Sequence, residues 1–447
     1  MASEKGGVVE DVDASLQPRL LIRSRSNDDD PIVRRSEPTG SEQTGDTQSA
    51  LGQGSLWAMV VLGVVSLSGL LFWVLAATSF AENAVGRAAA WYTLIQLAVI
   101  TAAFGAPIMI NRSAGDGDAA AKAGATTTLV IGIAAATGMV APFFAGSQWS
   151  SLGGMDRSQL AILMLVLVVG SALVLPADAR LVSLRRWRWL FARAAVPSII
   201  RVLLLLTDPW ADQAAWILVA AAGPVAVSGF VATAGLIRAG EINLAAPWRF
   251  NRLQRNFLAV QHLGAVATQI PYHVVPYLVA RQVAPATNAA FYFVWAIGAM
   301  VSMVPVVLTQ VLLSETSLAR TGRVTMIRAT LAANVTVVGL AWVLSVVVGP
   351  PLLEYFGPTY ADLAGVLPFI LLASLAWSVG SVCLTESRLD SDNLTTAVIT
   401  LTIAFGSLVL ALILMPSEPV WGATTAWLIA NLTAAMLGII LVERRSR

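Results

Sequence analysis

From about residue 55 to its end, the chain alternates long apolar stretches with short polar ones. The apolar stretches recur roughly every 25 to 40 residues, and each could cross a bilayer as a helix, because about 20 residues at 1.5 Å each match a hydrocarbon core of roughly 30 Å. The pattern predicts an all-α, polytopic membrane protein with about twelve transmembrane helices. The predicted spans are Ser55–Phe80, Ala84–Ile110, Ala119–Ala145, Gln159–Ala179, Trp189–Leu206, Ala214–Ile237, Phe257–Ala280, Ala286–Leu313, Val324–Val348, Tyr360–Leu384, Leu394–Leu414 and Val420–Val442.

The seventh predicted span differs from the others because it is polar and rich in proline. It contains Gln269 and His273 together with Pro271 and Pro276. A polar group that faces lipid without a partner costs several kcal/mol, so this span is predicted to line a protein-walled cavity. Each proline removes a backbone N–H and pushes against the preceding turn. We therefore expect a bent or broken helix, with a hinge at the two prolines.

Composition excludes a soluble protein. Hydrophobic residues make up 57% of the chain and charged residues 12%, and the mean hydropathy is +0.73, whereas soluble domains carry about 25% charged residues. The one cysteine, Cys383, cannot form an internal disulfide. His262 and His273 lack acidic or thiol residues beside them, so no metal site is expected. No phosphate-binding glycine-rich loop and no catalytic serine–histidine–acid set is present. We expect neither an enzyme nor a cofactor.

The basic residues predict the orientation. Because arginine and lysine concentrate in cytoplasmic loops, the side with more of them is taken as cytoplasmic. That side has most of the basic residues and both chain ends, whereas the other has only Arg87, Arg157 and Arg281. The protein is thus predicted to lie in the plasma (inner) membrane with both termini in the cytoplasm. The run Arg185–Arg188, next to Trp189, indicates an anchor at the anionic lipid surface and not a nucleic-acid site.

The domain organisation is predicted from these spans. Residues 1–53 are polar and predict a disordered cytoplasmic tail. Residues 54–238 and 257–447 would each form a lobe of six helices around a central cavity, and residues 239–256 would form a cytoplasmic linker. The two halves share small and aromatic positions at one constant offset, which indicates an internal repeat. Chance agreement between apolar segments is the alternative. The matching pairs are Leu62-Gly63 with Leu263-Gly264, Ala88-Ala89 with Ala289-Ala290, and Trp91-Tyr92 with Tyr292-Phe293.

The middle of the predicted spans contains no carboxylate but does contain one arginine, Arg201. An arginine at this depth costs roughly 2.5–3.5 kcal/mol on insertion scales, so it should face a cavity or a partner. One interpretation is a contact to an anion, most naturally a phosphate, because the planar guanidinium can bind two oxygens at once. The other is a purely structural arginine, which reaches the membrane surface or binds helix carbonyls.

Further polar residues are candidates for binding a substrate. His273 is predicted to line the cavity. Arg112, at the cytoplasmic end of the second span, could meet a phosphate at the membrane surface, and Arg281, at the outer end of the seventh, could act as an anchor or a contact. The remaining candidates could bond sugar hydroxyls or neighbouring helices equally well; they are Gln96, Gln269, Tyr277, Asn288 and Tyr292.

Three stretches resemble the multidrug/oligosaccharidyl-lipid/polysaccharide exporter superfamily, in its polysaccharide transporter (Wzx-type lipid-linked oligosaccharide flippase) branch. Ala84–Arg112, with Gly86 before small residues and an arginine at its end, is similar to the second span of these proteins. Asn288–Ser317 resembles their eighth span. Glu354–Ser374 resembles their loop into the tenth span, where Phe356-Gly357 precedes Tyr360-Ala361.

This resemblance implies two six-helix lobes around a cavity that opens alternately to each side of the membrane. It also implies a cargo, namely an anionic polyprenyl-pyrophosphate-linked glycan, moved from the cytoplasmic to the outer leaflet. The bilayer and glycosyltransferases or a polymerase of the same pathway would be the partners. Family members often have a cationic cavity, but the first span here has no arginine or lysine. Arg201 and His273 would have to supply the charge.

Two other functions remain open. The first is a small-solute or drug antiporter of the same superfamily, although a buried acid for proton exchange is lacking. The second is a membrane scaffold without transport activity, which recruits enzymes of glycan synthesis through its tail and loops.

Overall fold

The computed structural model describes residues 42–102, 110, 118–143, 155–207, 212–243, 252–318, 323–390 and 392–446. The chain divides into two units, residues 1–50 and 51–447. In the first unit the described residues are 42–50, and they are helical. The predicted disordered tail therefore lies mostly outside the described residues. The second unit contains all the other described residues.

All regular secondary structure in the described ranges is helical, which confirms the all-α, polytopic fold. Fourteen helices are described. They are α1 (Glu42–Ser79), α2 (Glu82–Ala102), α3 (Asp118–Phe143), α4 (Arg157–Ser183), α5 (Trp187–Leu205), α6 (Gln213–Arg238), α7 (Arg252–Ala280), α8 (Pro285–Leu318), α9 (Arg323–Val347), α10 (Gly349–Tyr355), α11 (Pro358–Ala361), α12 (Val366–Leu389), α13 (Asn393–Leu414) and α14 (Pro419–Ser446).

Nine of the described helices are long and apolar enough to cross a membrane, so the predicted count of twelve spans is not confirmed. The long helices outside this set are α3, α5 and α7. In α3 the apolar stretch is shorter, Gly124–Gly138. Arginines within α5 and polar side chains within α7 lower the hydropathy of those two helices. The arginine in the middle of α5, Arg201, is buried against protein, which explains how that helix fits a membrane fold.

Aspartates begin three of the helices, as expected for residues whose side chain can accept from free backbone N–H groups. Asp156 accepts from the backbone N of Gln159 at 2.8 Å, and the Gln159 side chain in turn accepts from the Asp156 backbone N. The bond from Ser158 is the largest cause that lowers the pKa of the Asp156 carboxyl. Asp212 caps α6 and Asp392 caps α13 in the same way. These caps fix where the helices start.

The segment before α12 differs from the prediction, which placed a helix start at Tyr360. The chain instead forms the short helices α10 and α11, and α12 begins at Val366. Gly357 has a φ of +119°, a left-handed conformation that suits glycine, and Pro358 follows it. Together they end one helix and start the next, and they place the Tyr360 ring in the core with 0% exposure.

Helix α2 is at the centre of the packing, because it contacts α3, α4, α6, α7 and α8. Its approach to the start of α8 depends on Gly86. A Cβ atom at Gly86 would lie 1.7 Å from the Pro285 carbonyl oxygen, so no other residue fits there. Asn288, which is 2% exposed, donates from Nδ2 to the Gly86 carbonyl oxygen at 2.7 Å. The first and second halves of the chain are therefore joined at this point.

Three packing pairs of the first half have counterparts in the second. The pairs α3–α4, α4–α6 and α5–α6 correspond in order to α9–α12, α12–α14 and α13–α14. The proposed division into lobes at residues 54–238 and 257–447, with a linker at 239–256, stays a prediction, since α2 also packs closely against α7 and α8. Of the linker, residues 244–251 lie outside the described ranges.

Candidate functional site

Arg201 lies inside the protein, on the face of α5 that points toward α1. It is 7% exposed. Its Nη2 donates to the Val65 carbonyl oxygen at 2.8 Å and to the Ser68 hydroxyl. A Cβ atom on Gly69 would come within 3.4 Å of the same nitrogen. The arginine therefore does not point into lipid, and the helix-carbonyl contact expected of a structural arginine is present.

Two tyrosines stand beside this arginine, one from each half of the chain. Tyr92 on α2 and Tyr292 on α8 are within electrostatic range of the Arg201 guanidinium. The Trp73 ring on α1 packs against both, with ring centroids 5.7 Å from Tyr92 and 4.7 Å from Tyr292. Gln96 donates from Nε2 to the Tyr92 hydroxyl. We call Ser68, Tyr92, Gln96, Arg201 and Tyr292 the arginine site.

The arginine site retains hydrogen-bonding capacity. A guanidinium has five N–H donors and no acceptor. The Nε of Arg201 is buried and has no partner among the described residues. Among the described residues, no carboxylate oxygen lies within 4 Å of the Arg201 guanidinium. A buried cation without a counter-ion is costly, so the arrangement favours an anionic acceptor.

A second polar region lies in the other half, between α7, α8 and α12. Its cavity of about 130 Å³ is lined by Thr268, Gln269, Tyr272 and Arg388, among others. Arg388 is not among the candidate residues predicted from the sequence. Its position at this cavity was missed, because the pattern places it near a helix end without showing which helices meet there. Gln269 is thus a cavity residue, but next to Arg388 and not in the arginine site.

Helix α7 continues unbroken from Arg252 to Ala280, so a break at the prolines is excluded. Pro276 has no N–H to pair with the Tyr272 carbonyl one turn earlier. Trp295 on α8 supplies the missing donor, because the Trp295 Nε1 donates to the Tyr272 carbonyl oxygen at 3.0 Å. The bond stabilises α7 against α8 where the proline weakens it. A hinge role for Pro271 and Pro276 stays a prediction.

The other candidate residues are dispersed. Asn288 binds the Gly86 carbonyl, so it fulfils the helix-bonding alternative. Tyr277 packs on the hydrophobic core. His273 is half-buried on α7, and Arg281 is exposed just beyond the end of that helix. Arg112 lies outside the described residues. The substrate-binding role predicted for each of these residues stays a prediction.

The described residues contain no group of three histidine, cysteine, aspartate or glutamate side chains that could hold a metal ion. Four residues of these two polar regions were not predicted from the sequence: Ser68, Trp73, Tyr92 and Arg388. Of these, only Tyr92 belongs to a pattern in the sequence, the pairing of Trp91-Tyr92 with Tyr292-Phe293.

No model of a known protein family matches the sequence, and no curated protein matches it either. Solved structures do resemble the fold. An outward-facing multidrug resistance MATE family transporter of the MOP superfamily has a TM-score of 0.62 and 15% identity, covering 89% of this chain and 95% of that chain. The lipid II flippase MurJ, in an inward closed conformation, has a TM-score of 0.64 and 13% identity, covering 87% of each chain. This chain has the fold of the MOP superfamily.

A third MOP superfamily transporter, from Pyrococcus furiosus, has a TM-score of 0.63 and 15% identity, covering 89% of this chain and 95% of that chain. The polarity of the binding pocket of that transporter is reversed, which suggests that the transporter has a different function. The similarity confirms the fold that the resemblance implied, which is that of a multi-pass membrane protein. The polysaccharide branch stays a prediction. The three solved structures are transporters or flippases.

Proposed function

We propose that this protein flips a polyprenyl-pyrophosphate-linked oligosaccharide, or a related glycolipid, from the cytoplasmic to the outer leaflet by alternating access. The cargo would serve cell-surface polysaccharide assembly. The protein would lie in the plasma membrane with both termini in the cytoplasm, near the glycosyltransferases or the polymerase of the same pathway.

The observation that carries this proposal is the buried guanidinium of Arg201. Its Nε has no partner within the described part of the chain, and no carboxylate there neutralises the charge within 4 Å. Pyrophosphate oxygens would supply both the missing acceptor and the counter-charge, in bonds about twice as strong as neutral ones. The cationic interior therefore favours an acidic lipid headgroup as cargo.

The surroundings of Arg201 suit a glycan next to that headgroup. Tyr92, Gln96 and Tyr292 bring hydroxyl and amide groups that can both donate and accept. They come from α2 and α8, so a ligand at this point would touch both halves of the chain. A site shared by two halves is what alternating access needs, because its ligand remains bound while the halves change their relative arrangement.

The second candidate is a drug antiporter, which the MATE transporters among the similar structures favour. Export of a cationic drug calls for a buried carboxylate to bind it. Asp178, a carboxylate within the described helix α4, is occupied by an ion pair with Arg193. Charge therefore favours the flippase, although both functions use the same fold.

The test replaces Arg201 by Gln and by Lys and measures export of surface glycan in cells that depend on this chain, together with efflux of a cationic dye. We expect Arg201→Gln to lower glycan export about tenfold, corresponding to ~1.4 kcal/mol of lost binding. Arg201→Lys should retain part of the export, because the charge remains but the two-oxygen geometry is lost. Dye efflux should be absent throughout.

Two controls separate binding from structure. Ser68→Ala removes one contact between α1 and Arg201 but leaves the guanidinium, so export should persist. Arg328→Gln makes the same chemical change at an exposed position on α9. Normal glycan export by Arg201→Gln at normal protein level would refute the role of Arg201. Dye efflux that depends on Arg201 would favour the antiporter.

A further inference from the structure

A groove of about 490 Å³ runs between α5 and α6 on the outside of the protein. Ala192, Val196 and Ile200 line it from α5, and Val227, Val231 and Gly235 line it from α6. Val196, Val227 and Val231 are 52%, 61% and 66% exposed. Its volume is within the range of about 300–1,000 Å³ typical of ligand sites. A concave apolar surface of this size needs an apolar occupant.

The depth of the groove matches one leaflet of a bilayer. From Trp189 to Ile200, α5 rises by roughly 17 Å at 1.5 Å per residue, close to half of a hydrocarbon core of roughly 30 Å. Small side chains on α6 keep the groove open, because Ser228, Ala232 and Gly235 recur every three or four residues along it. An extended hydrocarbon chain is the shape that such a narrow groove accommodates.

One end of the groove is positively charged. Arg186 lines it and its side chain is 44% exposed, although its Nη2 also contacts Glu241 at 3.5 Å. Arg185 and Arg188 are exposed next to it. Trp189, which also lines this end, is 68% exposed, as is typical of tryptophan at the level of lipid headgroups. Beyond this end the lining is apolar except for Ser228 and for Arg193, whose charge is paired with Asp178. A charged end and mostly apolar walls match the headgroup and the acyl chain of an anionic phospholipid.

We propose that this groove binds one anionic phospholipid of the surrounding bilayer. An acyl chain would lie between Val196 and Val231, and the phosphate would contact Arg186 and Arg188. The bound lipid would stabilise the packing of α5, the helix that carries Arg201. This inference is independent of the proposed cargo, because the groove is on the outer face of α5 and Arg201 faces α1.

The experiment compares filled and open grooves in the full chain. The purified protein is reconstituted into vesicles of phosphatidylcholine mixed with phosphatidylglycerol, extracted with mild detergent and weighed by native mass spectrometry. The wild-type chain should retain one phosphatidylglycerol. Val231→Trp fills the groove and should retain it about tenfold less. Val337→Trp, at an exposed valine of α9, is the matched control and should behave as the wild type.

The headgroup contact is tested by combining Arg186→Gln with Arg188→Gln, which should abolish the preference for phosphatidylglycerol over phosphatidylcholine. Arg328→Gln with Arg444→Gln is the control at two other exposed arginines. The motionally restricted fraction of spin-labelled phosphatidylglycerol, measured in the vesicles, also counts lipid that detergent removes. Equal retention by Val231→Trp and Val337→Trp, or equal binding of both lipids by the wild type, would overturn the proposal. So would an isoprenoid lipid found in the groove after extraction from native membranes.

Discussion

The two halves of the chain each bring three helix ends together in a corner held by ion pairs, but the charges are arranged differently. In the first corner, Glu241 after α6 pairs with Arg180 near the end of α4 at 2.6 Å and with Lys122 near the start of α3 at 4.0 Å. In the second corner, Asp390 after α12 pairs with Arg323 at the start of α9 at 2.6 Å and with Arg445 near the end of α14 at 3.4 Å. The carboxylate thus comes after the third helix of one corner and after the second helix of the other.

Burial also distinguishes the corners. The side chains of Arg180 and Glu241 are 2% and 13% exposed, whereas those of Arg323 and Asp390 are 35% and 27% exposed. A buried charge that loses its partner is expensive, whereas a half-exposed one can turn to water. Helix packing therefore sets where each corner lies. The stability of the first corner depends far more on its ion pair than the stability of the second corner does.

The largest expected effect comes from removing the central carboxylate of each corner. Glu241→Gln should lower the free energy of unfolding by about 3 kcal/mol, because Arg180 then stays buried without its counter-ion. Asp390→Asn should lower it by less than about 1 kcal/mol. Denaturation can be followed with a thiol-reactive dye, since the one cysteine, Cys383, is buried and reacts only when the fold opens.

A double variant checks the cause of that effect. Arg180→Met with Glu241→Leu removes both charges and should restore most of the stability, because apolar side chains of similar size need no counter-ion. Equal losses for Glu241→Gln and Asp390→Asn would erase the distinction between the corners.

A smaller effect concerns the backbone of the first corner. Arg185, just after α4, has a φ of +53°, and its N–H and that of Arg186 bind the Val182 and Leu181 carbonyl oxygens. This is the left-handed helix ending in which glycine is usual, and a side chain there costs about 1 kcal/mol. Arg185→Gly should therefore raise the free energy of unfolding by up to about 1 kcal/mol in the same dye assay.

Arg185→Ala separates this strain from charge, because it removes the guanidinium but retains the Cβ atom. Its stability should stay near that of the wild type. The α6 end already has glycine at this place, Gly240 with a φ of +68°. A stabilisation by Arg185→Ala equal to that by Arg185→Gly would point to charge repulsion instead of backbone strain.

The smallest effect is a pH dependence of the second corner. The hydrogen bond from Arg323, and then the charges of Arg323 and Arg445, lower the pKa of the Asp390 carboxyl. A lowered pKa means stability that is fully present above the unfolded pKa of about 3.9 and lost as pH falls through the folded pKa. The difference in stability between the wild type and Asp390→Asn should therefore be constant near neutral pH. It should fall toward zero below about pH 4. A difference that persists at lower pH would show that Asp390 acts through shape and not through charge.

The sequence predicted most helices and the interior position of one arginine. Spans such as Val324–Val348 are within a residue of the observed α9, because apolar length and flanking arginines define such helices locally. The prediction that Arg201 faces inward was correct as well, since its desolvation cost is a property of the residue and its depth. Its role in binding a substrate stays a prediction.

The partners of these residues could not be predicted. Arg201 donates to the backbone carbonyl oxygen of Val65. Because every residue has a backbone carbonyl, the sequence does not show which one would accept this bond. Asn288 was proposed for a sugar, but its actual acceptor is the Gly86 carbonyl, which becomes reachable only because two helices approach closely. The count of twelve spans is not confirmed, because α3, α5 and α7 lack the apolar length or hydropathy that marks the other nine described helices as spans.

The tryptophan bond across the proline of α7 has a consequence for motion. Separating α7 from α8 would strand the Tyr272 oxygen and the Trp295 indole in hydrocarbon, at several kcal/mol for each polar group. A tilt of the C-terminal third of α7 would therefore have to move α8 with it. The two helices should therefore move as one rigid unit. The hydrogen bond from the Trp295 indole disfavours any motion in which one helix slides past the other.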